Sequence, residues 1–394
     1  VLQRIGYETA GFVSGYPLDS EFGLPRGFDV YNDNFGEGRV ERRAGETVEA
    51  ALEWLSERGS GPLFLWVHLF DPHDPYDPPE PFRSSFTEDP YLGEIAYMDE
   101  HVGRLFEDFI ERHDAELWRI LLAGDHGEGR GDHGENLHGN LLYQGVMQVP
   151  LVVAGAGIVP GVEESAVSVR QVYDTILAWA GEEAEGGLLG WNRGPVIAEA
   201  LKPYLQYGWQ PQFMAVEEGV KVIRSGEVEI YDVLADPRET ENLAGRLEVA
   251  AGLGEALANY AEEALRESEA VASDLDPEVR EKLASLGYFG SSGRPVLRAD
   301  APSPREMTHL FHDLDLGASR FVARDYERAI LVFSRVLEAD PENFAVALRL
   351  AVAHSLLGEE SEALAYFGRA RQIDASSIDL RHYQAMHHLR NRQW

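Results

Sequence analysis

Apolar residues along the chain switch between two spacings. Val48, Leu52 and Leu55 recur at helical intervals, so Thr47–Arg58 is predicted to be a helix with Thr47 capping its start. Gly59–Pro62 breaks that pattern. Leu63–Phe70 then runs apolar and aromatic, as a buried strand does. Asp71–Pro81, rich in proline and aspartate, is predicted to be a loop. Val102, Leu105, Phe106, Phe109 and Ile110 form one stripe of a helix over Tyr97–His113. Trp118–Ala123 and Val149–Ala154 read as buried strands, with the glycine-rich loop Gly124–Gly139 between them, and Val169–Ala180 as another helix. Lys221–Ile223 and Glu227–Tyr231 flank Ser225-Gly226 as the arms of a hairpin. Alternating helix and strand patterns predict an α/β sheet covered on both faces.

Composition changes after Tyr288. Gly290–Arg305 carries Gly, Ser, Pro and charge, as a linker does. Beyond it the pattern is helical and repetitive. Asp325–Asn343 aligns with Glu359–Ser377, matching Ala329 to Ala363, Phe333 to Phe367 and Asp340 to Asp374 at a constant offset of 34. That is the tetratricopeptide period. About one and a half repeats fall short of the roughly three that a free-standing stack needs. The tail is therefore expected to pack on the rest of the chain, on a second copy, or on residues beyond Trp394.

The 394 residues include 68 acidic and 34 basic side chains, a net charge of −34. Nucleic-acid binding needs a basic footprint and is excluded. A sulfated polymer would be repelled unless the site were locally positive. No apolar run is long enough to span a bilayer, Val149–Gly161 being short and glycine-rich. Cysteine is absent, which removes disulfides, thiolate metal sites and cysteine nucleophiles and leaves the compartment open. Val1–Gly15 reads like the interior of a domain, so the parent protein is expected to continue upstream.

Candidate chemistry gathers in two places. Gly124-Asp125-His126-Gly127-Glu128 follows the strand Trp118–Ala123 directly, and ligands of open α/β sheets bind beyond the carboxyl ends of strands. Asp125 and His126 can reach one divalent cation; a plain surface turn is the competing reading. Asp132-His133-Gly134-Glu135 lies within the loop and reads as loop structure or an outer-shell group. The other place holds His68, Asp71, His73, Asp74 and Tyr76. Pro72 and Pro75 fix the backbone around His73, which could bind an anionic oxygen or protonate a leaving group. His68 reads as a core histidine, and Asp71, Asp74 and Asp77 as turn formers. No G-x-S-x-G, P-loop or HExxH motif is present.

These residues resemble a known family in consistent order. Leu65–Tyr76 (LWVHLFDPHDPY), Tyr91–Glu100 (YLGEIAYMDE), Ala123–Glu135 (AGDHGEGRGDHGE), His138–Pro150 (HGNLLYQGVMQVP) and Glu229–Leu243 (EIYDVLADPRETENL) look like sulfatase signatures, and Phe12–Asp33 is also similar. The resemblance covers roughly Val1–Tyr288. It implies an alkaline phosphatase-like fold: a mixed sheet between helices, a smaller C-terminal sheet, then the helical tail. The implied organisation is a catalytic core over 1–215, a C-terminal subdomain over 216–289, a linker over 290–305 and tetratricopeptide-like helices over 306–394. The implied activity is hydrolysis of a sulfate ester with a divalent cation, usually calcium. Asp125 and His126 stand where the family completes its metal site, His73 where it contacts sulfate, and His138 where a second imidazole or cationic contact falls.

The chain departs from the family in lacking the C/S-x-P-x-R motif that yields the formylglycine nucleophile, and the aspartate pair before it. Both are expected upstream of Val1. Asp125 and His126 supply only part of a calcium shell of roughly 6–8 ligands, so this chain alone is expected neither to hold the metal tightly nor to turn over. Two alternatives stand beside the sulfatase reading: a phosphodiesterase or phosphoryl transferase of the same superfamily, and a non-catalytic scaffold whose tail binds a protein partner or self-associates.

Overall fold

Thr9–Phe12 is apolar enough to be covered from both sides, and it becomes the middle of a parallel ladder. β1 (Glu8–Phe12) pairs with β2 (Val30–Asn32) on one edge and β3 (Leu63–Val67) on the other. The structure is a computed structural model and describes residues 1–59, 61–114, 116–184, 186–188, 190, 194–270 and 300–391. Two units divide it. One comprises Val1–Leu122, Leu151–Gly161 and Ile176–Ala184; the other Ala123–Pro150, Val162–Thr175 and Glu185–Trp394.

In the first unit α1 (Ala44–Ser56) and α3 (Pro90–Arg112) cover the ladder, α2 (Phe82–Ser85) being a single turn between them. Ala10, Phe12, Val48, Ala51, Trp54, Leu55 and Leu105 form the shared core. Both long helices start earlier than their apolar stripes predict. Thr47 is no cap: it is fully buried, with its hydroxyl 2.7 Å from that of Ser14. The true start is capped from a distance, Asp71 accepting from the Ala44 N–H at 2.7 Å. Asp71 is thus a helix cap and not a local turn former. Asp89 and Pro90 start α3, as a side-chain acceptor and a first-turn proline do. β4 (Arg119–Ala123) pairs with β5 (Leu151–Gly155), α4 (Gln144–Met147) is a single turn before β5, and α5 (Gln171–Trp179) is the helix expected over Val169–Ala180. The Ala156 N–H reaches the Trp118 carbonyl and the Gly124 N–H the Pro150 carbonyl, so this pair runs antiparallel.

The second unit is built on an antiparallel meander, β6 (Val196–Ala200), β7 (Gln212–Glu217), β8 (Val220–Ser225) and β9 (Glu227–Asp232). The expected hairpin is β8–β9, turned by Gly226 at φ 76°. The sheet already begins at Val196, so residue 215 falls inside β7. Alternation along β7 decides what covers each face. Phe213 and Ala215 pack with Val222 against Leu253, Leu257 and Ala261 of α6 (Ala251–Ala270). Met214 and Val216 face the helical tail.

That tail comprises a 3-10 segment (Pro304–Leu310) and α7 (Phe311–Val322), α8 (Tyr326–Ala339), α9 (Phe344–Leu357), α10 (Glu360–Ile373) and α11 (Ile378–Arg390). The aligned repeat segments become α8 and α10, each 14 residues long. Among the three expected supports, the tail takes the rest of the chain. Phe311, Leu314, Phe333, Val336 and Leu350 share one core with Met214, Ile223, Tyr231, Trp209 and Leu141–Tyr143. The Trp209 indole N–H donates to Asp340 at 2.8 Å, both residues being buried. Most of the expected linker 290–305 lies outside the described residues. Its end is held, the Gln210 N–H donating to the Pro302 carbonyl. The class is the α/β one expected, with a three-stranded parallel sheet, the two-stranded β4–β5 pair, a four-stranded antiparallel sheet that outnumbers the parallel one, and a helical tail.

Replacing Trp209 by Phe keeps a large ring but removes the donor to a buried carboxylate. Unfolding free energy should fall by about 1–3 kcal/mol, read from urea denaturation followed by circular dichroism. An unchanged midpoint would show that the bond carries no net stability.

Candidate functional site

The loop after β4 is shaped by backbone contacts that leave no room for side chains. The Gly127 N–H donates to the Val146 carbonyl at 2.6 Å, and a Cβ on Gly127 would stand 2.4 Å from the Gly145 oxygen. A Cβ on Gly129 would stand 2.4 Å from the Glu135 oxygen. Residues 129–137 fold back on themselves, with Gly129 bonded to Leu137, Arg130 to Asn136 and Gly131 to Glu135. The Glu135 carboxylate lies inside and accepts from the Asn140 and Leu141 N–H groups. Burial pushes its pKa up to about 7, against those hydrogen bonds.

Three predicted site residues meet on this loop. The Asp125 side chain is 77% exposed, and its Oδ1 accepts from the His126 N–H. His126 Nδ1 lies 2.9 Å from the Gly127 carbonyl. A carbonyl only accepts, so Nδ1 carries the proton and Nε2 of the neutral ring keeps its lone pair. That Nε2 lies 3.7 Å from Asp125 Oδ2. The His138 ring stacks on His126 with centroids 3.9 Å apart. Its Nδ1 lies 3.2 Å from Oε1 of the nearly buried Glu128, which fixes the ring and leaves Nε2 for a ligand. Glu128 escaped the sequence reading; only the fold-back of 129–137 brings it to His138.

The second DHGE string is loop architecture. His133 stacks on Tyr143 at 3.6 Å, with Nδ1 3.2 Å from Asp132 and Nε2 3.1 Å from the Glu239 carbonyl. Glu239 pairs with Lys221 at 2.7 Å, both side chains fully buried.

His73 belongs to the first unit. Its ring stacks on Phe70 at 4.1 Å, and Nδ1 lies 3.7 Å from Glu41. Glu94 on α3 braces the surrounding loop by accepting the His73 N–H at 3.0 Å and the Asp77 N–H at 2.7 Å. Asp77 also meets Arg43 and Arg83. His68 continues the β3 pairing by donating its N–H to the Phe12 carbonyl.

Among the described residues no three His, Asp or Glu side chains gather as a full metal shell. Asp125 and His126 fit as two members of one. Their facing oxygen and nitrogen lone pairs repel unless a cation or proton lies between them. Neighbouring ligands about 2.4 Å from one calcium stand roughly 3.4 Å apart, close to the separation seen.

Residues 1–182 match the sulfatase family model, and residues 322–387 a tetratricopeptide repeat model. The chain is similar to the choline-sulfatase of Rhizobium meliloti (strain 1021), 31% identical over 167 residues, covering 39% of this chain and 32% of that protein. It is also similar to the multifunctional alkaline phosphatase superfamily protein PehA of Trinickia caryophylli, 30% identical over 185 residues, covering 39% of this chain and 36% of that one. The chain spans about a third of the length of these curated relatives. In fold, the chain resembles a protein solved in complex with its substrate D-glucosamine-2-N,6-O-disulfate, with TM-score 0.50 and 17% identity over 68% of this chain and 81% of that one.

The brace on His73 titrates. Burial pushes the Glu94 pKa from 4.5 up to about 7. A raised carboxyl pKa means that the unfolded chain releases its proton first as pH rises. The contribution is therefore full below the unfolded value of 4.5 and is lost as pH climbs through about 7. Melting temperatures of wild type and Glu94→Gln should diverge over that window, wild type falling relative to the variant. Parallel profiles would sink the assignment.

Proposed function

We propose that this chain is the metal- and anion-binding part of a sulfuric ester hydrolase, with Asp125 and His126 holding a divalent cation, calcium by preference. The observation that carries the reading is the pair of lone-pair donors facing each other at 3.7 Å on an exposed loop. When bound, the cation would supply a Lewis-acid pole for the sulfuryl oxygens. Asp125 gives a hard anionic oxygen to it, and the Gly127 carbonyl keeps His126 in the tautomer that can ligate. His138, braced by Glu128, offers Nε2 as a hydrogen-bond donor to a substrate oxygen when protonated there. By its motif, His73 is proposed as a sulfate contact of the first unit. The chain has no cysteine and no Ser-x-Pro-x-Arg, so the formylglycine nucleophile and the remaining metal ligands come from sequence outside it.

A phosphoryl-transfer reading has one observation in its favour, the multifunctional description of the Trinickia relative. Assays on 4-nitrophenyl sulfate and 4-nitrophenyl phosphate separate the two. The intact protein should prefer the sulfate, and Asp125→Asn or His126→Ala should lower kcat by about 100-fold or more with melting temperature retained. This chain alone should show no turnover. Sulfatase activity from the chain alone, or from a folded Asp125→Asn protein at the wild-type rate, would overturn the proposal.

A further inference from the structure

The offset of 34 that relates α8 to α10 also relates α9 to α11. The caps Asn343 and Ser377 correspond, each accepting from the N–H three residues on. The buried Val346 and Ala353 of α9 become the buried Leu380 and His387 of α11. One face of the two helices is therefore used in the same way. The opposite face is not. On α9 it consists of Phe344, Ala347, Leu348, Ala351 and Val352, which pack with Ala363, Phe367 and Ala370 of α10. The same positions on α11 are Ile378, Arg381, His382, Ala385 and Met386, and every one of them is exposed. Ile378 is 56% exposed, Met386 41%, and Leu389, one turn beyond Ala385, 49%.

A helix that closes a repeat stack carries a polar outer face. That of α11 is apolar at Ile378, Ala385, Met386 and Leu389, which fall on one stripe. Where it departs from α9 it gains basic groups, Arg381 standing for Ala347 and His382 for Leu348. The helix that covers α9 is acidic where it begins, with Glu359, Glu360 and Glu362. A second copy of the chain has no such helix to offer. Its matching ridges, Ala329-Phe333-Val336 and Ala363-Phe367-Ala370, are already buried, and its net charge of −34 opposes approach.

We propose that the outer face of α11 docks a helix of a partner protein, acidic in its first turn and carrying a small residue, a phenylalanine four positions on and another small residue three beyond that. This helix takes on α11 the place that α10 takes on α9. The tail is then an interaction arm, and its role is independent of the loop chemistry.

The probe is a fluorescein-labelled peptide with the sequence of Glu359–Asp374, stapled across its polar face so that helix formation costs it little. Its anisotropy should rise saturably as the chain is added. Met386→Glu in the chain, or Phe367→Ala in the peptide, should weaken binding about tenfold or more. Arg381→Glu should weaken it more at low salt than at high. Because Met386 is exposed, Met386→Glu should melt at the wild-type temperature. Absence of binding would sink the proposal. Binding indifferent to Met386→Glu would mean that the peptide displaces α10 from α9, which overturns it as well. Light scattering supplies the remaining arm: a dimer of the chain that Met386→Glu dissolves would make a second copy the occupant, against the partner helix proposed.

Discussion

Burial of one indole organises the second unit. Trp209 stands where the antiparallel sheet, the segment Leu141–Tyr143 and the tail helices all need cover, and it is 1% exposed. Each large apolar side chain buried there contributes about 1.5–3 kcal/mol, and both sheet and tail contribute several. Neither surface would be stable in water without the other. Leu141 and Leu142 extend from the loop that carries His126 and His138, so that loop hangs from the same core. A polar rim completes it, with Glu229 accepting from the Tyr143 and Tyr231 hydroxyls and pairing with Arg305 at the start of the tail.

Carboxylates divide into two kinds around the site. Glu135 and Glu239 are buried and spend their lone pairs on backbone N–H groups, at Asn140 and Leu141 and at Gln144. They fix the path of the loop. Asp125 is turned outward, its Oδ2 facing the His126 imidazole. Structural acids inside and a single exposed one at the tip give a loop that is stiff in its frame and open at its working end.

Much of this was legible in the sequence. β3, β4, the glycine loop, the β8–β9 hairpin and the matched helices α8 and α10 follow from apolar spacing and from Ser225-Gly226. So does the pairing of Asp125 with His126, which are neighbours in the chain. What escaped depends on contacts remote in sequence. The cap of α1 comes from Asp71, 27 residues away, so a local cap rule chose Thr47 and misplaced the start. Glu128 reaches His138 only through the fold-back of 129–137. β1, β2 and β6 are short strands whose burial is set by their partners.

Asp340 and Asp374 occupy the same position in successive repeats yet have different duties. Asp374 accepts from the Ser376 N–H and hydroxyl within its own turn. Asp340 also accepts from the Asn343 amide within its own turn, but the same oxygen accepts from the Trp209 indole as well. The first repeat is therefore keyed to its host, and the second is generic. Were the array to lengthen by duplication, new units could be tolerated after Arg390 but not ahead of Phe311, where an inserted copy would arrive without an indole to greet it. The helices thus have a fixed end and a growing end, much as a screw has a thread that bites and a head that accepts any driver.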